Sequence, residues 1–371
     1  MNFGELEIKT QRLVSVLDRQ NYGAVILNGQ HNFAWLTGGG SSGIDLSREN
    51  GSVSLLITRN GKRYLIANNI EMPRMRAEEV SLDDFEPLEI SWQDEKADGN
   101  TALHIAKNTA GGEIVTDIPL FGGTRAIDSE LAPCRYELTV DEIERYRSLG
   151  RDTGSSVGRV ILSVSPGETE TAIAQKINAE LGTLNIRSIV TLVAADDRIA
   201  KYRHPIPTDK IWRKTLLVVT CAKRFGLIVS LSRVICVGGV DDELLQKTDA
   251  AAFVNAAIMD ATKPEISGAD LYNVAAKAYA DAGFTGEIGL HHQGGATGYK
   301  TRDWVAHPKS AEFVRSDQAF AWNPSITGTK VEETVIVNGD GVETITKTPN
   351  FPQILTKLNG FEYFSPGVLS I

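Results

Sequence analysis

An α/β chain of the α+β kind, built as two domains, is what this sequence predicts, and three observations predict it. In the first third, short apolar runs bounded by Gly or Asn-Gly alternate with a helical period. After residue 139, longer helices begin at explicit capping signals. The length, 371 residues, corresponds to about two domains at roughly 150 residues each.

The elements follow in order. Residues 5–20 place Leu6, Leu13, Val16 and Leu17 at helical spacing. Ala24 to Leu27, between Gly23 and Asn28-Gly29, reads as a buried strand. Val53 to Ile57 is a second strand, turned at Asn60-Gly61 into Tyr64-Leu65-Ile66 as a hairpin. Glu113 to Thr116 closes this unit, and the polar stretch 93–100 reads as a solvated loop. Pro133 marks a break, so domains are expected over 1–133 and 134–345, with a tail over 346–371 whose fold the pattern leaves open. Thr139 and Glu142 form a Thr-x-x-Glu capping box for a helix continued by Ile143, Tyr146 and Leu149. A turn at 165–169 opens a helix to residue 182, and Ile189 to Val193 is a strand. Residues 216–220 and 227–236 form a hairpin-like pair, and helices are expected over 241–262 and 268–282. Strands at 319–322 and 334–337 end the second domain.

The composition, 42% hydrophobic and 23% charged, is that of an ordinary globular protein. A net charge of −9 argues against nucleic-acid binding and against a polybasic membrane patch. No apolar run approaches the roughly 20 residues that span a bilayer, and the polar amino terminus does not read as a secretory signal. Three cysteines without CxxC spacing indicate neither a disulfide framework nor a zinc ribbon, so a reducing cytoplasm is the expected compartment.

Four segments concentrate unusual chemistry. In Arg203-His204-Pro205, proline forces an extended backbone on the histidine, whose imidazole titrates near neutrality and suits general acid–base work or a plain surface hydrogen bond. In Leu290-His291-His292-Gln293-Gly294-Gly295, adjacent histidines would point to opposite sides of a strand, and the glycines suit close approach to a ligand or a structural turn. In Lys330-Val331-Glu332-Glu333-Thr334, one of two adjacent carboxylates must face inward, where it needs a partner. Lys223-Arg224 sits at a hairpin turn and reads as a solvated surface. Taken alone, these residues do not name a reaction.

In this order and spacing the segments resemble the pita-bread family of aminopeptidase P, prolidase, methionine aminopeptidase and the metal-free creatinase. Asn32-Phe33-Ala34-Trp35-Leu36-Thr37-Gly38 is similar to the creatinase-type amino-terminal domain. The resemblance implies such a domain over 1–133 and a pita-bread domain over 134–345. Peptidases of the family hold two metal ions with two Asp, one His and two Glu. The matching positions here read Thr220, Leu231, His292, Asn323 and Glu332, so only a histidine and one carboxylate survive. A dinuclear aminopeptidase is therefore not expected, and no cofactor is; Mn or Zn would enter only if a residual peptidase site persisted.

The resemblance to creatinase implies His204 as the catalytic acid–base, with His292 and Glu332 completing the catalytic group. It also implies substrate binding by Tyr299, Arg302, Asn323 and Glu333, with Arg302 clamping an anionic group. The expected function is metal-independent hydrolysis of a C–N bond in a small polar amide or amidine. The alternatives are a non-catalytic peptide-binding module and an Xaa-Pro peptidase with a residual metal. Expected partners are a small molecule or short peptide and a second copy of the chain, with no nucleic acid and no membrane.

Overall fold

In a computed structural model that describes residues 4–339 and 341–371, the chain divides into two units, Met1–Arg135 and Tyr136–Ile371. The first opens with α1 (Glu5–Gln20), ended by Asn21 in the left-handed region at φ 59°. It continues through β1 (Ala24–Gly29), α2 (Gln30–Leu36), β2 (Asn50–Thr58), β3 (Arg63–Asn68) and β4 (Glu86–Ile90). It closes with α3 (Trp92–Ala97), α4 (Thr101–Thr109) and β5 (Ile114–Thr116). The sheet order is β4–β3–β2–β1–β5; β1–β2 and β2–β3 run antiparallel, β3–β4 and β1–β5 parallel.

The Asn60-Gly61 hairpin forms as expected, with Gly61 supplying φ 80°. The stretch 93–100 does not stay a loop. Ser91 accepts the Asp94 N–H at 3.0 Å, which nucleates α3, although no residue of that helix is buried. Asn32 to Leu36 lies in α2, where Phe33 and Trp35 are fully covered. Asp117, directly after β5, ties this helix to β1. Its Oδ1 accepts the Asn28 and Ile118 N–H groups, and its Oδ2 accepts the Gly29 N–H and Asn32 Nδ2, each at 2.9 Å.

The second unit starts at α5 (Val140–Ser163), where the Thr139–Glu142 capping box is present in both directions. Thr169 caps α6 (Glu170–Gly182). The strands β6 (Arg187–Ala195), β7 (Thr215–Arg224) and β8 (Leu227–Cys236) then form an antiparallel meander. Two helices follow, α7 (Asp242–Ala261) and α8 (Gly268–Asp281). A second sheet is built from β9 (Gly294–Thr297), β10 (Trp304–Val305), β11 (Ala319–Trp322), β12 (Glu333–Asn338) and β13 (Gly341–Thr344), in the order β10–β9–β11–β12–β13. Val254, Ile258, Leu271 and Tyr279 of the helices bury against Phe320, Trp322 and Val335 of that sheet. Each such side chain contributes about 1.5–3 kcal/mol through the surface it removes from water.

The tail is ordered. β14 (Gln353–Leu358) and β15 (Phe361–Pro366) pair as a hairpin, and β16 (Val368–Ser370) adds to the first sheet in parallel with β8. Its polar–apolar alternation carries too few residues per strand to announce a fold from sequence. Among the described residues no helix is long and apolar enough to cross a membrane.

Candidate functional site

Three histidines from two separate stretches of chain meet in the second unit. His204 lies in an irregular segment after the short helix Arg198–Lys201, and His291 and His292 lie between the turn Thr285–Gly289 and β9. The His204 and His291 Nε2 atoms are 3.1 Å apart. Ring centroids are 4.9 Å apart for His204–His291, 4.3 Å for the stacked pair His291–His292, and 6.2 Å for His204–His292. The expectation that His291 and His292 diverge fails, because β9 begins only at Gly294 and strand alternation does not reach them.

The glycines after them serve packing. Gly294, at φ 108°, would place a Cβ 2.1 Å from the Ala321 carbonyl oxygen, and Gly295 would place one 2.1 Å from that of Trp304. Neighbouring strands, not a ligand, need the missing side chains.

Arg203 holds the His204 segment. Its guanidinium donates to Ser325 Oγ at 3.1 Å, to Thr327 Oγ1 at 2.9 Å and to the Glu287 carboxylate. Glu287 in turn accepts the Thr327 N–H at 3.0 Å and its hydroxyl at 2.8 Å. Behind His292, Gln293 Oε1 accepts the Tyr279 hydroxyl at 2.6 Å, so the backbone leaving the histidine pair is anchored to α8.

Charge at the site is concentrated on three groups. Glu332, 2% exposed, lies 3.1 Å from Lys330 Nζ and 3.6 Å from an Arg302 guanidinium nitrogen. Its Oε2 nonetheless receives no well-directed hydrogen bond, so the Lys330 contact is an ion pair with poor alignment. The His291 Nδ1, the Arg302 Nε and the Asn323 Oδ1 are likewise buried without a hydrogen-bond partner. Lys330, to which the sequence pattern gives no role, stands two residues before Glu332 in extended chain and so on the same face; that spacing is its signal in the sequence. His291 and Arg203 also had no assigned role, since their partners are about 90 to 120 residues distant.

The imidazoles are pushed toward neutrality. Burial, followed by the charge of Lys330, takes His291 from 6.5 to about 3. Burial, with Arg302 and Lys330, takes His292 to about 4, against the opposing pull of Glu332. His204 moves in the same direction for the same reasons, partial desolvation first and Lys330 second.

The other sequence-derived residues are distributed differently. Tyr299 does not face the histidines: its hydroxyl donates to Glu142 Oε1 at 2.7 Å, under the capping box of α5. Glu333 also turns away, pairing with the fully buried Arg233 at 2.9 Å and accepting the Thr346 hydroxyl. Thr220 and Leu231 are direct cross-strand partners in β7 and β8, both 0% exposed, and the Thr220 hydroxyl is 2.9 Å from that of Ser188. Asn323 is 3% exposed at the end of β11. At the five positions where resemblance puts metal ligands, the donors are thus one hydroxyl, one amide carbonyl, one imidazole and one carboxylate already beside two cations. That set does not fit a pair of hard divalent ions, which need several anionic oxygens.

The description "Metallopeptidase family M24" matches residues 144–339, and "Creatinase/Prolidase N-terminal domain" matches residues 9–115. The chain belongs to metallopeptidase family M24. A relative from Pyrococcus horikoshii named Xaa-Pro dipeptidase is 20% identical over 92% of this chain and 97% of its own length. Among solved structures, the prolidase of Pyrococcus horikoshii superposes with a TM-score of 0.77 at 18% identity, covering 92% of this chain and 98% of its own. The dipeptidase PepE of Mycobacterium ulcerans gives 0.78 at 15% identity over the full length of both chains. Both likenesses describe the fold of this M24 chain.

Proposed function

We propose that this M24 chain hydrolyses a C–N bond in a small amide or amidine without a dinuclear metal centre, with His204 transferring the proton. The observation that carries the reading is the company Glu332 keeps. The one surviving carboxylate is neutralised by Lys330 and Arg302, and the paired positions 220 and 231 hold a hydroxyl and a hydrocarbon.

The chain's own residues supply the steps. His204, held neutral, accepts a proton from the attacking water and returns it to the departing nitrogen. Lys330 supplies positive charge where a carbonyl oxygen gains negative charge, at a desolvated position where such stabilisation is strongest. Arg302 clamps an anionic substituent of the substrate. Glu332 is already flanked by two protein cations, so it does not serve to hold a cationic part of the substrate. Two cations around one carboxylate favour an amide that carries a carboxylate.

A second reading, Xaa-Pro dipeptides as the substrate, is favoured by the name of the Pyrococcus relative and satisfies the same carboxylate requirement. A screen of small carboxylated amides, amidines and Xaa-Pro dipeptides, with and without added Mn, separates the two. Turnover that needs no metal and falls roughly 100-fold to 10,000-fold in His204→Ala supports the first. Mn-dependent cleavage that is indifferent to His204 supports the second.

A further inference from the structure

We propose that His204, His291 and His292 form a binding site for one divalent ion of the zinc class, with a ligand set different from the family's carboxylate-rich centre. Half of the chain's six histidines stand at this one place. One ring nitrogen of each lies within 4.8 Å of the other two. Tetrahedral zinc with Zn–N bonds near 2.05 Å needs ligand nitrogens about 3.3 Å apart. The His204 and His291 Nε2 atoms, at 3.1 Å, already meet that spacing. His204 and His292 are exposed and lie outside the strands, which leaves the outer rings room to turn toward one another. Their exposure also leaves an entry path and at least one coordination position for water.

The donor chemistry selects the metal. Three neutral imidazoles suit Zn, Co, Ni or Cu and offer nothing to Mg, Ca or Mn, which prefer carboxylate and carbonyl oxygen. One contact in the structure is otherwise hard to account for: a His–His nitrogen contact satisfies only one ring at a time. The charges of Lys330 and Arg302 oppose a dication here, and Glu332, beside both, offsets one of the two. An ion held by these rings occupies the lone pair of His204, so loading the site suppresses any proton transfer that residue performs. This goes beyond the hydrolysis proposed above and does not require it.

The test is titration of the full chain, freed of metal by a chelator, with ZnCl2 by calorimetry and with Co2+ by visible absorption. The expected result is one Zn2+ per chain, intense Co2+ absorption of the four-coordinate kind, and no heat from MnCl2. His291→Ala and His204→Ala each weaken zinc by roughly tenfold or more. His104→Ala, an exposed histidine of the other unit, leaves the isotherm unchanged. Absence of zinc binding at about 1 mM, two ions per chain, or an isotherm indifferent to His291→Ala overturns the proposal. Failure to find a substrate would sink the hydrolysis and leave the isotherm standing, so the two ideas fail separately.

Discussion

Asp117 in the first unit and Glu332 in the second are both buried carboxylates, 1% and 2% exposed, and the chain treats them in opposite ways. Asp117 accepts four hydrogen bonds at 2.9 Å, three from backbone N–H groups, and has no charged side chain among those donors. Glu332 faces two cations at 3.1 and 3.6 Å, and one of its oxygens lacks a directed donor. Complete satisfaction rigidifies a fold. Buried groups left without a partner call for an explanation, and an unfilled binding site is one.

The largest effect should come from breaking the satisfied member. Asp117→Ala leaves four donors without an acceptor in a closed environment and should cost roughly 3–5 kcal/mol. Urea unfolding read from the first unit checks this; a loss under ~1 kcal/mol would show that the network is dispensable.

The histidine cluster gives the next effect. His291 and His292 are held at about 3 and 4 in the folded chain, against 6.5 ordinarily. The unfolded chain therefore takes up protons first as pH falls. Their contribution to stability is complete above pH 6.5 and is lost progressively as pH drops toward 4 and 3. Thermal melts of metal-free protein between pH 7 and pH 4 should show a falling Tm, and His291→Gln should flatten the slope.

A smaller change isolates one cause of those shifts. Lys330→Met removes a charge that lowers all three histidines, so each should titrate at higher pH by NMR. Unmoved resonances would show that burial alone sets their basicity. The smallest effect is expected at Asn323, whose Oδ1 is buried without a donor. Asn323→Leu should alter stability by less than about 1 kcal/mol, because no satisfied bond from that oxygen is lost. Together with Asp117→Ala, it asks whether the two polar regions differ as their hydrogen bonds say.

Legibility from sequence followed the range of the signal. The Asn60-Gly61 turn, the Thr139–Glu142 box and the helices of the second unit depend on neighbours within four residues, and they could be read. α2 was missed because six of its seven residues are buried, which erases the amphipathic period. α3 was missed for the opposite reason, having no buried residue at all. At the site, His204 and Glu332 stood out as residue types in unusual settings. Their surroundings did not, since the meeting of His204 with His291 spans 87 positions. Tyr299 and Glu333 show the remaining weakness: a segment can be located correctly while a given side chain within it points toward the interior.

The grip of Arg203 has a consequence for how the protein is made. Its partners Glu287, Ser325 and Thr327 follow it by 84, 122 and 124 residues. During synthesis, the segment of the histidine beside it is not fully held until the chain has been made through Thr327. A nascent or clipped chain ending before Ser325 would carry every imidazole of the cluster while Arg203 lacked its Ser325 and Thr327 partners.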